Sequence, residues 1–265
     1  MKFILLFIFG VVPLYAAFEY SGADVMLQGV SASMIATNQS YSAYLLNPAT
    51  SAAVSQNHLG LLYFQPFGLP EINYASLITH FRVNRYGTGF TISTFGNEIY
   101  RENQLVYNLA GTFFEERFFV GVNLRWNNLN VQNYFSSNSL GVDAGIQYVL
   151  HPNILMGFSL LNLNQPAGKP EEIPLKTNWG MSFRLGERFD TYIAIRKDSW
   201  YPASVRVGFE IRLNSLITLH NGFNTYPAVP SLGLTLKRNM IAIHYAFQYH
   251  FDLGGTHFWG LSLRQ

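Results

Sequence analysis

From about residue 57 to its end, the chain falls into short runs in which apolar residues take turns with polar or small ones. Leu140, Val142, Ala144, Ile146 and Tyr148 alternate with Ser139, Gly141, Asp143, Gly145 and Gln147. Val205, Val207, Phe209, Ile211 and Leu213 alternate with Ser204, Arg206, Gly208, Glu210 and Arg212. Ile241, Ile243, Tyr245, Phe247 and Tyr249 alternate with Ala242, His244, Ala246, Gln248 and His250. A period of two puts one set on each face of a strand. About fourteen such runs lie near 57–65, 71–82, 86–96, 101–114, 117–127, 138–149, 153–162, 173–185, 188–197, 202–213, 215–224, 229–238, 240–250 and 256–264. Each has roughly the length a tilted strand needs to cross a bilayer, and an even count is what a closed single-chain barrel requires.

Composition decides which face meets what. Charged residues make up 12% and aromatics 16% of the chain, whereas soluble domains carry about 25% charge. No apolar run of about 18 residues follows the N-terminus, which excludes helical spans. A soluble β-sandwich would bury the apolar set; a membrane barrel turns it to lipid and keeps the polar, glycine-rich set inside. Tyr63, Tyr100, Trp126, Trp179, Tyr201, Tyr249 and Trp259 fall near strand ends, where interfacial girdles need aromatics. Short connections (Asn84-Arg85, Glu115-Glu116, His151-Pro152, Gly186-Glu187, Asn214-Ser215, Arg238-Asn239) alternate with mostly longer ones, 127–137 and 163–172 being the longest. The expected fold is therefore all-β: a transmembrane antiparallel β-barrel of about fourteen strands at 57–265, with both termini periplasmic.

Ahead of the barrel stand two other segments. Residues 1–17 carry one Lys, an apolar run, Pro13 and small residues at Ala16 and Ala17, the pattern of a signal peptide cleaved after one of those alanines. Export to the bacterial outer membrane follows, and with no Cys in the chain the mature protein is not a lipoprotein. Residues 18–56 do not alternate cleanly. Residues 18–36 read as a strand-turn segment. Asn38, Gln39 and Ser40 offer cap chemistry to a helical turn, and a second turn starts at Pro48, the break falling at Asn47-Pro48. Neither turn is stable alone; both need a surrounding wall. The segment is expected to plug the lumen.

By parity, Arg125, Asp143, Lys176, Arg184, Arg196, Arg206, Glu210, Arg212, His220 and His244 point inward. In a narrow interior they pair with one another and with the plug backbone; alternatively they line a basic passage for an anionic or amphipathic solute. Asn47 either caps the turn before Pro48 or marks a kink about which the plug shifts. The outer-loop aromatics Tyr134, Phe135, Trp200 and Tyr201 belong to the girdle or to a protein-docking surface. There is no Cys, HExxH, P-loop or GxSxG, and the seven histidines (58, 80, 151, 220, 244, 250 and 257) are scattered. No enzyme, catalytic residue, metal or cofactor is expected, Ser159, His220 and His244 making no triad by spacing. A net charge of +2 gives no reason to expect nucleic acid.

A signal peptide, Ser21-Gly22-Ala23, the motif Ala43, Tyr44, Asn47, Pro48, Ala49 and about fourteen strands together resemble the FadL-like outer-membrane proteins, and look most like their PorV/PorQ-type branch. The resemblance implies that Asn47-Pro48-Ala49 belongs to a hatch in the lumen, with Ala43 and Tyr44 as weaker matches. The chain departs from members that capture fatty acids, whose long outer loops form a landing groove, and it ends on Gln265 where an aromatic residue is usual. Two functions are implied. One is passive transport of hydrophobic or amphipathic small molecules through a plugged lumen. The other is a non-transporting anchor for a secretion or surface-attachment machine, as PorV-type members serve type IX secretion. Outer-membrane lipid, a hydrophobic small-molecule ligand and secretion-machinery proteins are the corresponding partners.

Overall fold

The computed structural model describes residues 17–18, 24–168 and 171–265. The expected signal peptide, apart from Ala17, and Ser21-Gly22-Ala23 lie outside the described residues. The strands in chain order are β1 (His58–Gln65), β2 (Asn73–Val83), β3 (Tyr86–Gly96), β4 (Tyr100–Phe113), β5 (Phe118–Val131), β6 (Phe135–His151), β7 (Ile154–Leu161), β8 (Ala167–Gly168), β9 (Glu171–Glu172), β10 (Lys176–Leu185), β11 (Phe189–Asp198), β12 (Ser204–Arg212), β13 (Ile217–Thr225), β14 (Ala228–Arg238), β15 (Ile241–His250) and β16 (Gly254–Arg264). All but β8 and β9 form one closed barrel of fourteen strands; those two make a small ribbon in the β7–β10 connection. Neighbours pair antiparallel, and β1 meets β16 from His58↔Arg264 to Gln65↔His257 to close the ring. Among the described residues no helix is long and apolar enough to cross a membrane.

Burial follows the period of two. Along β5, Phe119, Gly121, Asn123, Arg125 and Asn127 are buried inward, while Val120, Val122, Leu124 and Trp126 are exposed outward. Leu124 is 56% exposed, and similar apolar side chains recur on the outer face around the ring. A belt of this extent is stable against lipid, where its exposure costs nothing, and costly against water.

The structure corrects the connections at the upper end, the end opposite the short turns. The expected loop 127–137 is a hairpin: β5 runs to Val131, β6 starts at Phe135, and pairing continues to Val131↔Phe135. The expected longer connections near 224–229 and 250–255 shrink to 226–227 and 251–253. Asn128, Asn130, Ser136 and Asn138 carry no apolar alternation, yet main-chain pairing needs none once a strand has left the bilayer. Only 66–72, 162–175 and 199–203 remain as longer upper connections. Tyr100 is not a girdle residue: it shares the inward parity of Glu102, to whose Oε1 its hydroxyl donates at 2.6 Å.

The segment before β1 lies inside the ring. Where 18–36 read as a strand-turn unit, Val25–Gly29 forms one helical turn, α1, capped by Asp24 Oδ1 accepting from the Leu27 amide at 2.8 Å. Asp24 outcompetes extended pairing because every edge of the ring is already taken. Two 3-10 turns follow, Ala43–Leu45 and Pro48–Ala52, the first entered from Ser42 rather than from 38–40.

Leu124→Arg tests the lipid face. An arginine near the midplane of the apolar belt should cost about 2–4 kcal/mol when the barrel is unfolded by denaturant from lipid vesicles. Asn130→Arg, on the hairpin above the belt, should cost far less.

Candidate functional site: the plug and its seat

The plug packs backbone against backbone. The inner face of the wall carries a glycine wherever the plug comes nearest: Gly87, Gly89, Gly121, Gly145, Gly157 and Gly208 among them. A methyl on Gly121 would stand 2.3 Å from the Pro48 carbonyl oxygen, and one on Gly145 would stand 2.1 Å from Asn47 Oδ1. No real side chain tolerates such distances, so the plug sits in space that only glycine leaves open. Apolar plug side chains fill what remains. Leu27, Val30, Met34, Ile35 and Leu46 pack on Tyr192 and Ala194. Tyr44 and Leu45 meet Ile78 and Val106.

A plug of irregular backbone buries carbonyls that no sheet satisfies. Wall amides supply the donors. Asn108 Nδ2 donates to Pro48 O at 3.0 Å, Asn123 Nδ2 to Tyr44 O at 2.9 Å, and Asn178 Nδ2 to Leu46 O at 3.2 Å. Ser159 Oγ also donates to Leu46 O, at 2.6 Å. Asn108, Asn123 and Asp143 are cross-strand neighbours on β4, β5 and β6, which makes this a continuous polar row.

The motif residues lie at the centre of the seat. Asn47 is fully buried; its Oδ1 accepts from the Ala49 amide at 3.2 Å, and its Nδ2 donates to Ile35 O at 2.8 Å and to Ile146 O of β6 at 3.0 Å. Pro48 opens the second 3-10 turn, and Ala49 packs with Ala52 on Ala110 and Phe119. The Tyr44 hydroxyl reaches Thr91 Oγ1 at 2.6 Å, and Ala43 packs in the first apolar cluster.

The ten charged or titratable residues share the inward parity of their strands but split into groups. Arg125 and Asp143 form a buried ion pair, and Arg125 Nη2 donates to Leu45 O at 2.9 Å. Asp143 also accepts from Asn123 Nδ2 at 2.9 Å. Above the plug, Arg196 Nε donates to Asn178 Oδ1 at 2.8 Å, and Lys176 borders a cleft of about 20 Å³. Arg206 Nη1 lies 3.4 Å from Ser31 O. Below it, Arg184 and Arg212 both hold Asp190, and Arg212 also holds Glu210. His220, Thr235, His244 and Ser262 form a chain of contacts of 2.8–2.9 Å across β13 to β16. Glu210, His220 and His244, with Asp24, Tyr41 and His58, border a lower chamber of about 430 Å³. Among the described residues no group of three His, Asp or Glu could hold a metal ion.

Asn108, Asn123 and Asn178 escaped the sequence reading because only charge was followed along the inward parity, and Ser159 entered it only as a residue that makes no triad. The signal was there: Asn123, Asn178 and Ser159 each lie two residues from an inward glycine on their own strand, and Asn108 is the direct cross-strand partner of Gly89. The aromatic row Phe258, Phe64, Tyr74 and Phe95 was equally hidden. These four are successive cross-strand partners on β16, β1, β2 and β3, and all turn into the upper lumen. Ring centroids lie 4.6 Å apart for Phe64 and Phe258 and 4.8 Å apart for Phe64 and Tyr74. The row packs on Val25 of α1, so it leads from the upper mouth to the plug.

A closed fourteen-strand barrel with an N-terminal plug seated on inward glycines has the fold of the FadL-like outer-membrane barrels. Solved structures bear the likeness out at the level of fold. The toluene transporter TbuX of Ralstonia pickettii superimposes with a TM-score of 0.69 at 11% identity, over 93% of this chain and 98% of that one. The toluene transporter TodX of Pseudomonas putida gives 0.66 at 12% identity over 92% and 96%, and a FadL homologue of Pseudomonas aeruginosa gives 0.62 at 12% identity over 91% and 95%. No protein-family model and no curated protein matches the sequence.

Two predictions follow from the seat. Gly121→Val should lift Pro48 and unseat the plug while the barrel still folds, read as a raised conductance in planar bilayers and faster proteolysis within 24–56. Gly111→Ala, whose added methyl would meet nothing nearer than 3.5 Å, should change neither. The second concerns Asp24. Burial pushes its carboxyl from 3.8 up to about 6, against the pull of the Leu27 amide and the Ser42 and Ser40 hydroxyls. The seated plug thus binds this proton more tightly than the free segment does, so its contribution is full below about 4 and is lost as pH rises through about 6. Hydrogen-exchange protection of α1 should fall across that window, and Asp24→Asn should flatten the dependence while keeping the cap.

Proposed function

We propose that the protein lies in the bacterial outer membrane, is exported by its N-terminal signal segment, and passes hydrophobic small molecules down their gradient. The aromatic row carries this reading. A lumen built for water-soluble solutes keeps its inner wall polar; here four aromatic rings stand side by side on that wall below the upper mouth. Phe64, Tyr74 and Phe258 are buried against Val25 of the plug, so an apolar solute meets them only when the plug segment shifts, and it then loses water at about 25 cal/mol per Å² of apolar surface. Beneath the row the plug closes the route, and the lower chamber receives what passes it. The hatch role of Asn47, Pro48 and Ala49 belongs to this proposal. So does the inward charged set, which holds the plug rather than the solute. The neighbours named as toluene transporters support the solute class.

A second reading, the plugged anchor of the PorV/PorQ type, is favoured by a different observation. Every neighbouring strand pair of the ring is hydrogen-bonded, with one irregularity between Val149 and His151, and this continuous pairing is what supports a sealed wall. Uptake of an apolar fluorescent tracer into proteoliposomes separates the two. Transport predicts tracer entry with the wild type, faster entry with Gly121→Val, and entry slowed about tenfold or more by Phe64→Asp, which places a charge in the apolar row. If neither the wild type nor Gly121→Val passes tracer, the anchor stands and transport fails.

A further inference from the structure

His80 is fully buried on the inner face of β2, and both its ring nitrogens lie 2.8 Å from plug carbonyl oxygens, Nδ1 from Gln56 O and Nε2 from Ser51 O. A carbonyl oxygen only accepts, and a neutral imidazole carries a single N–H. With a neutral ring, one of the two contacts sets lone pair against lone pair at a separation where only a hydrogen bond is favourable. An imidazolium donates to both. We propose that His80 is a proton-dependent clasp: the protonated ring ties Ser51, in the second 3-10 turn, and Gln56, in the bend before β1, to the wall, and loss of the proton frees one of them.

The position suits a clasp. Ser51 O is also the atom nearest to Gly87, where an added methyl would stand 2.2 Å from it. This end of the plug therefore cannot shift without leaving His80. The groups facing the ring set a balance. His80 pairs across the ladder with His58 of β1 and Gly89 of β3. The His58 ring lies 6.4 Å away by centroid and is itself stacked at 4.9 Å on Tyr41 of the plug. Arg82, on the same strand, is drawn toward Glu116 of the β4–β5 turn at 3.8 Å. The inward residues of β3 beside the ring, Gly87, Gly89 and Thr91, carry no charge. In the plug, Asp24 shares the lower chamber with Tyr41 and His58.

The clasp rests on the reading of the plug as a movable gate, and the test keeps the two apart. The full chain, reconstituted in nanodiscs and labelled with ¹⁵N-histidine, is followed by NMR between pH 5 and 8, with the His80 ring signals identified by their loss in His80→Gln. All samples carry Asp24→Asn, so that Asp24 does not titrate. The expected result is a ring with two N–H groups at the acid end that loses one as pH rises. In step with it, hydrogen-exchange protection of residues 51–56 should fall by up to about tenfold per pH unit, the limit for a single proton. In His80→Gln that protection should not depend on pH; should this variant fail to fold, the joint movement of ring state and protection in the His80 protein decides by itself. A ring that keeps one N–H throughout, or protection that falls equally in His80→Gln, overturns the clasp. Ring and protection titrating together while tracer uptake stays flat from pH 5 to 8 would uphold the clasp and count against the gate.

Discussion

Everything in this molecule depends on how near the plug's main chain comes to the wall. A barrel of fourteen strands leaves more space inside than side chains alone fill, and here the space is taken by a second layer of backbone. Contacts such as Pro48 against Gly121 and Asn47 against Gly145 leave no volume for a side chain on either glycine. That nearness forces the rest. Carbonyls of Tyr44, Leu46 and Pro48 are cut off from water and must be met from the wall, which is why Asn123, Asn178, Ser159 and Asn108 stand where they do. Leaving one such group unmet costs about 1–3 kcal/mol, so the plug is held by many small obligations rather than one strong bond.

The charges serve the same seat in another way. Arg125 and Asp143 are almost wholly buried, and a buried ion pair is weak evidence of stability, because desolvation offsets most of the attraction. What the pair achieves is placement. Asp143 aligns Asn123 and Arg125, and these carry Tyr44 O and Leu45 O of the plug. Near the lower chamber Asp190 and Glu210 gather Arg184 and Arg212 at a wetter rim, where the same pairing is worth less. Placement inside and screening outside are what a plug needs if it is to be held in register and still be released from one end.

Most of the architecture was legible from the residues. Alternation located the barrel strands, and the break at Asn47-Pro48 separated two short turns. The strand ends were misjudged wherever polar residues carry the ladder beyond the bilayer, as at Asn128–Val131 and Phe135–Ser137, because hydrophobic period is silent there while main-chain hydrogen bonding continues. Val25–Gly29 was missed as a helical turn because five residues carry too little pattern; the Asp24 cap is its one local sign. Of the seat, the inward parity of Arg125 and Asp143 could be read, whereas their plug partners could not. Asn47 showed its cap through the following proline and hid its bond to Ile146 O, ninety-nine residues away.

The sequence by itself determined a closed membrane barrel, since alternation fixes the two faces of each strand and the shortage of charge leaves the apolar face nowhere to go but lipid. It also determined that the inner face would be lined with small and polar residues, and that the segment ahead of His58 could not join the ladder. Which inward residues meet was decided only in three dimensions. Phe64 and Phe258 become neighbours when β1 closes on β16, and His80 reaches Ser51 and Gln56 only because β2 stands beside the plug's last bend. The reason is register. Side-chain period is a local property of each strand, while the alignment of one strand on the next is set by turns, by glycines that admit the plug, and by the single pairing that joins the two ends of the ring.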